Sequence, residues 1–262
     1  MPLSSRLQRL ARHVTRQTLR QLQRVCVCEI CLSSLQMGDP CHFLCQSCWQ
    51  QLPTITNPCC QCGESLPAHH HSSRCQRCQL HPPAFDYCIS RFRFSSPIDQ
   101  WIRRGKDQHQ PEWMIRLAQL MYLQAPPALR QAHALVTVPS HWRRLLQRGY
   151  NPAAMLAGEI QRQSGVPLLD HTLLRTRSQE QRGASAWQRY RQIRTGLVAG
   201  DQPLQGLHIL LIEDVVTSGA TADWSARLLK QQGAAMVGVW TLARTPAPEY
   251  HTAPPPSGII RP

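Results

Sequence analysis

No stretch of this 262-residue chain is apolar for long enough to cross a bilayer, and no basic start, apolar run and small-residue cleavage site follow one another. Secreted and membrane-embedded classes are set aside, and a cytoplasmic protein with no integral membrane segment is the expectation. The Gly-rich lead-in and Gly-Lys-Ser/Thr end of a P-loop are missing, as is a dinucleotide fingerprint, which excludes both nucleotide-binding motifs. Acidic residues are scarce: 15 against 29 basic ones, a formal charge of +14, with Lys106 and Lys230 the only lysines. So arginine-rich a surface attracts polyanions, whether nucleic acid, phosphorylated metabolites or acidic lipid headgroups. Residues 1–24 contain no acid and six arginines, with Leu3, Leu7, Leu10 and Val14 at helical spacing. Nucleic-acid contact, transient membrane contact and docking onto the rest of the chain all fit such an arm.

What the chain has in plenty is cysteine, 12 in all, every one between residues 25 and 88. Without a secretion signal, paired spacing argues for metal ligands rather than disulfides. Four Cys-x-x-Cys pairs occur: Cys28/Cys31, Cys45/Cys48, Cys59/Cys62 and Cys75/Cys78. A two-residue gap turns both thiolates of a tight knuckle toward one ion, and two knuckles complete a tetrahedral zinc site. One or two structural zinc ions are expected. The pairs combine either in sequence or crossed, with Cys26, Cys41, Cys60 and Cys88 left over. Metal would supply much of the folding free energy of so small a module. The module reads either as a nucleic-acid or partner-binding ribbon or as a structural clip.

The run Leu207–Ile212 carries one polar side chain and ends at Glu213-Asp214, followed by Val215-Val216-Thr217-Ser218-Gly219-Ala220-Thr221. That pattern predicts a buried strand delivering a loop at its C-terminal end. Trp224, Leu228 and Leu229 then recur at helical spacing, so the loop opens a helix. Backbone N–H groups and the hydroxyls of Thr217, Ser218 and Thr221 converge where a helix start has unpaired donors, which suits a phosphate monoester. Gly219 lets the backbone come close to its oxygens. The two carboxylates then stand where a sugar on that phosphate offers its hydroxyls.

Elsewhere, Ala134–Val138 reads as a strand ended by Pro139-Ser140, and Asn151 as the N-cap of a helix from about Pro152 to Ile160. Helix is also expected around Glu112–Leu123, and a strand over Met236–Leu242. Within residues 91–132, Phe92, Phe94, Trp101 and Trp113 alternate with arginines. The proline-rich tail from Pro246 carries no chemistry.

The segment Ile212–Thr221 resembles the phosphoribosyl pyrophosphate (PRPP) signature of type I phosphoribosyltransferases. The wider chain resembles the ComF/GntX family of bacterial DNA-utilisation or competence proteins. The likeness is carried by that loop, by Val136-Thr137-Val138-Pro139 with Arg148-Gly149-Tyr150-Asn151, and by the four cysteine pairs. It implies an α/β fold: a type I phosphoribosyltransferase-like domain with a central, mainly parallel sheet over 91–245, preceded by the arm (1–24) and the zinc module (25–90) and followed by a flexible tail (246–262). It further implies Glu213 and Asp214 on the ribose hydroxyls, Thr217, Ser218, Gly219, Ala220 and Thr221 on the 5′-phosphate, and Arg148 and Asn151 facing pyrophosphate. Trp101–Lys106 stands where the family carries a short apolar run ending in lysine, so Arg103, Arg104 or Lys106 contacts a phosphate. Mg²⁺ would accompany PRPP in an active site.

Departures from the family are Glu213 for an aspartate, Tyr150 for phenylalanine, Pro152 for glutamine, and an arginine-rich 168–200 region matching its flap weakly. Three functions follow. One is a PRPP or ribose 5-phosphate binding protein supporting DNA uptake or use, another an active Mg²⁺-dependent phosphoribosyltransferase. The third is a non-enzymatic adaptor for single-stranded DNA or a DNA-processing partner.

Overall fold

The computed structural model describes residues 27–176 and 196–246. The arginine-rich arm, Cys26, the flap arginines Arg177, Arg182, Arg189, Arg191 and Arg194, and the tail from residue 247 lie outside the described residues. Backbone contacts divide the chain between Leu52 and Pro53.

In the first unit the N–H of Cys28 donates to Ser33 at 2.8 Å and that of Leu32 to the Cys28 carbonyl at 2.9 Å, closing a knuckle. Helix α1 (Gln46–Gln50) begins directly after Cys45 and carries the buried Cys48. The second unit opens with the same build. The Gly63 N–H donates to the Cys59 carbonyl at 2.9 Å, and α2 (Gln76–Leu80) follows Cys75 and buries Cys78. Leu32 and Gly63 hold equivalent places in the two knuckles, at φ 60° and 69°. Only the second requires glycine, because a Cβ there would lie 3.2 Å from the Cys88 carbonyl, whereas the Leu32 side chain is exposed.

The second unit continues as β1 (Tyr87–Arg93), α3 (Ile98–Asp107), α4 (Glu112–Tyr122), α5 (Pro127–Gln131), β2 (Ala134–Thr137), α6 (Trp142–Arg148), α7 (Pro152–Ser164), β3 (Leu173–Arg175), β4 (Leu197–Ala199), β5 (His208–Val216), α8 (Ala220–Gln231) and β6 (Met236–Arg244). The main sheet has the order β1-β6-β5-β2, and all three pairings are parallel. The α/β class with a central parallel sheet is thus as expected. From His208 to Ile212, β5 is buried at every position, as a strand covered on both faces must be. It runs on to Val216 because Glu213 and Val215 stay in register with Thr241 and Ala243 of β6. Strand β1 went unexpected, yet the arginine and aromatic alternation is its signature: Cys88, Ser90 and Phe92 point inward while Arg91 and Arg93 point out.

Ile98, Trp101, Ile102 and Gly105 line the buried side of α3, so the Trp101–Lys106 stretch is helical. Ala153, Leu156, Ala157 and Ile160 bury the inner face of α7, which packs on β2 and β5. A second cluster holds Ile209 and Leu211 of β5 and Val237 and Val239 of β6 with Ala222, Ala226 and Leu229 of α8. Cys59, Cys62 and Cys78 belong to this same cluster. Cys28, Cys31, Cys45 and Cys48 lie in the first compact unit, while Cys59, Cys62 and Cys78, with Cys75 packed against them, belong to the core of the sheet domain.

Two glycines offer a contrast. Gly238 pairs with Tyr87 in the β1–β6 register, and a Cβ there would run into the tyrosine ring. That ring's hydroxyl donates to His208 Nε2 at 2.7 Å, because His208 Nδ1 carries its proton toward the Gln131 carbonyl at 3.1 Å. Gly158, on the outer face of α7, has open space where a Cβ would go. Gly238→Ala should cost about 1–3 kcal/mol through overpacking, while Gly158→Ala should stabilise by about 0.5–1 kcal/mol through helix propensity. Chemical denaturation of both variants measures the two signs.

Candidate functional site

The C-terminal ends of parallel strands are where an α/β sheet opens a crevice. Here the loop after β2 and the end of β5 border a cleft of about 240 Å³ lined by Lys106, Pro139, Ser140, Arg148, Asp214 and Thr221, with Arg144, Asn151, Arg175 and Glu213 also on its wall. Four cations face two carboxyl groups, so the cleft favours an anion.

Local structure explains how residues far apart in sequence meet. His141 caps α6, its Nδ1 accepting from the Arg143 N–H at 3.3 Å. Gly149 ends α6 at φ 82°, and Asn151 caps α7 by accepting from Ala153 at 3.2 Å. The Asn151 amide donates to the Val138 carbonyl at 3.0 Å, and its oxygen accepts from Ser140 Oγ at 2.9 Å. Asn151 thus organises the post-strand loop with both of its polar atoms. Arg148 donates to Asp107 at 3.0 Å, and the Tyr150 hydroxyl donates to the Gly105 carbonyl. Both contacts lash the Arg148–Asn151 segment to the end of α3, and the second needs the hydroxyl that distinguishes tyrosine from phenylalanine.

That end of α3 delivers Lys106, whose Nζ lies 2.5 Å from Asp214 Oδ2. Of the three basic residues named as phosphate contacts, Lys106 alone lines the cleft. Arg103 pairs with Asp99 at 3.5 Å, and the Arg104 guanidinium lies 4.9 Å from the Trp113 ring centroid. Glu213 is buried. Burial first, and then the neighbouring Asp214 charge, push its pKa up from 4.5 to about 8, against the pull of Lys106 and Arg244. Glu213 is therefore protonated near neutrality and presents a hydroxyl donor, while Asp214 has an ammonium partner.

The loop beyond the acids divides. Thr221 faces the cleft, whereas Ser218, Gly219 and Ala220 line a separate cavity of about 360 Å³ with Cys62, Cys78 and Arg77. Gly219 is the N-cap of α8 at φ 79°, with no side-chain cap. Thr217 lines neither cavity, its carbonyl accepting from Arg244. Arg144 and Arg175 also line the cleft, and Arg175 reaches in from β3 and donates to the Pro139 carbonyl at 3.1 Å. Arg77 and Arg244 carried no signal in the sequence, since their acceptors are backbone carbonyls up to 182 residues away. Beside the cleft, α6 buries none of its residues and exposes Trp142, Leu145 and Leu146, with Arg143 at 5.3 Å from the Trp142 ring centroid.

The cysteines resolve in sequence order. Cys28, Cys31, Cys45 and Cys48 form one group and Cys59, Cys62, Cys75 and Cys78 another, each with its sulfur atoms within 4.8 Å of one another. Both fit a tetrahedral metal with four thiolate ligands. Cys31 is already drawn toward the thiolate, its pKa lowered to about 6 by the Ser33 hydroxyl and then by the Ser33 N–H. No helix among the described residues is long and apolar enough to span a membrane.

Glu213 gives a pH test. Below pH 4.5 the group is protonated folded or unfolded; between 4.5 and about 8 the folded chain keeps a proton that the unfolded chain releases. Stability therefore falls as pH rises through that window and levels off above it. Glu213→Gln, which mimics the protonated acid, should abolish the decline and exceed the wild type in urea midpoint at pH 8–9.

No family model matches the chain. It is 31% identical over 226 residues to the DNA utilization protein YhgH of Escherichia coli (strain K12), covering 84% of this chain and 97% of that one. To competence protein F of Haemophilus influenzae it is 30% identical over 226 residues, covering 83% and 96%. Among solved structures, the purine phosphoribosyltransferase of Pyrococcus horikoshii matches at a TM-score of 0.33 and 14% identity, over 51% of this chain and 84% of that one. Near-complete coverage of curated relatives at this identity means that the chain belongs to the ComF family, alongside the DNA utilization and competence proteins.

Proposed function

We propose that the cleft at the end of β5 binds a ribose 5-phosphate compound of the PRPP class, and that the protein works in DNA uptake or utilisation, a reading supported by relatives named as DNA utilization and competence proteins. The observation that carries the reading is the convergence of Glu213, Asp214 and Thr221 with Lys106, Arg148 and Arg175 on one cleft. The 5′-phosphate would be taken by the turn Thr217–Thr221, and the ribose hydroxyls would meet Asp214 as acceptor and protonated Glu213 as donor. Arg148 and Arg175 would balance pyrophosphate charge. Mg²⁺, when bound with PRPP, would neutralise the pyrophosphate leaving group. Lys106 holds Asp214 in the free protein and would turn to a phosphate oxygen when a sugar claims the carboxylate. The exposed Trp142 beside Arg143 supports the DNA side of the reading, since base stacking and phosphate pairing need that combination.

Calorimetry with PRPP and Mg²⁺ tests the site. Uptake by the wild type and loss of roughly tenfold or more in affinity in Asp214→Ala are expected; equal affinity in the variant would remove Asp214 from the role. Pyrophosphate release that depends on an added nucleobase would make the protein a transferase, and its absence across a broad panel would leave a binding role.

The cysteine quartets are proposed to hold zinc. Purified protein should carry two ions per chain, and Cys45→Ser or Cys59→Ser one. The Cys59 change should also lower the unfolding temperature of the sheet domain, whose core contains that thiol. The Cys45 change should leave that transition in place, and scanning calorimetry with metal analysis separates the two.

A further inference from the structure

The turn between β5 and α8 is held from behind by two arginines. The Arg244 side chain is 4% exposed and reaches Glu64 at 3.3 Å. Its Nη1 donates to the Val216 carbonyl at 2.9 Å and to the Thr217 carbonyl, and its Nε to the Cys62 carbonyl at 3.2 Å. Arg77, on α2 between Cys75 and Cys78, donates from Nη2 to the Ser218 carbonyl at 2.8 Å. Three consecutive carbonyls, 216 to 218, thus point toward guanidinium groups anchored in or beside the second cysteine quartet.

In a trans peptide the C=O and the following N–H point to opposite sides of the chain, and no peptide bond from Val216 to Gly219 is cis. Fixing the carbonyls of Val216, Thr217 and Ser218 therefore turns the N–H groups of Thr217, Ser218 and Gly219 the other way. Among the described residues none of these three N–H groups donates to a protein acceptor. Successive N–H groups turned to one side form an anion cradle, and holding them there before a ligand arrives removes an ordering cost from binding.

We propose that Arg77 and Arg244 are positioning residues for phosphate recognition, through which the second cysteine quartet sets the orientation of the turn's N–H donors. This rests on the reading of the turn as the 5′-phosphate site. Neither arginine touches the phosphate. They act on carbonyls from the opposite side, and the 360 Å³ cavity lined by Arg77, Arg244, Cys62, Cys78, Ser218 and Gly219 lies on their side of the turn.

Arg77 is exposed, so Arg77→Met keeps its stem and spares the fold. In full-length, zinc-loaded protein, calorimetry with ribose 5-phosphate should show the variant binding roughly tenfold more weakly than the wild type, with zinc content and thermal midpoint unchanged. In the ligand-free protein, ¹⁵N relaxation should show lower order parameters at Ser218 and Gly219 in the variant. Wild-type affinity in Arg77→Met, or unchanged order at those amides, overturns the proposal. If the wild type takes up no ribose 5-phosphate, the phosphate-site reading fails instead, and the relaxation comparison still decides whether Arg77 orders the turn.

Discussion

A guanidinium that gives up water must find acceptors for its fixed fork of donors, or its charge is left uncompensated. Arg244 finds acceptors in the Cys62 carbonyl beside the second cysteine quartet and in the carbonyls that end β5, and a counter-charge in the Glu64 carboxylate. The last strand of the sheet, the metal-type knuckle and the turn into α8 thereby become one body. Asp86 repeats the device at the other end of the sheet, accepting from the Val237 N–H at 2.7 Å and from Lys230 at 2.7 Å. The second quartet is thus no appendage, because three of its four cysteines share a core with the strand that carries the acids.

The cleft is assembled from chain segments that only the fold brings together: the end of α3, the loop after β2 with α6 and the start of α7, one residue from β3, the end of β5 and Thr221 of α8. Its charges are held in place before any ligand arrives. Lys106 occupies Asp214, Asp107 occupies Arg148, and burial first, then the Asp214 charge beside it, raises the Glu213 pKa. An incoming sugar phosphate would exchange these contacts rather than create charge in an apolar pocket. The same electrostatics set Glu213 and Asp214 apart as hydrogen-bond donor and acceptor despite their adjacency.

Much of this was legible in the residues. The apolar run ending in Glu213-Asp214 announced β5 and its loop, since strands buried on both faces have no choice but continuous hydrophobicity. Asn151 before Pro152 announced the cap of α7, and the two-residue cysteine gaps announced the knuckles. Strand β1 was hidden because its period-two pattern is built from arginines and aromatics rather than from aliphatic residues. Helix α6 was hidden because it buries nothing, so no apolar stripe marks it. Arg77 and Arg244 were invisible for a different reason. Each bonds to backbone carbonyls, which leave no residue-type signature, across 141 and 182 positions.

On the proposed reading the turn from Thr217 to Thr221 receives a sugar phosphate. Backbone amide spectra of the isotope-labelled protein, recorded as ribose 5-phosphate is added with Mg²⁺, address it residue by residue. Saturable shifts are expected to concentrate at the Thr217, Ser218 and Gly219 amides, with smaller ones at Asp214 and Thr221. Shifts confined to surface arginines elsewhere, or no saturable change at these amides, would contradict it.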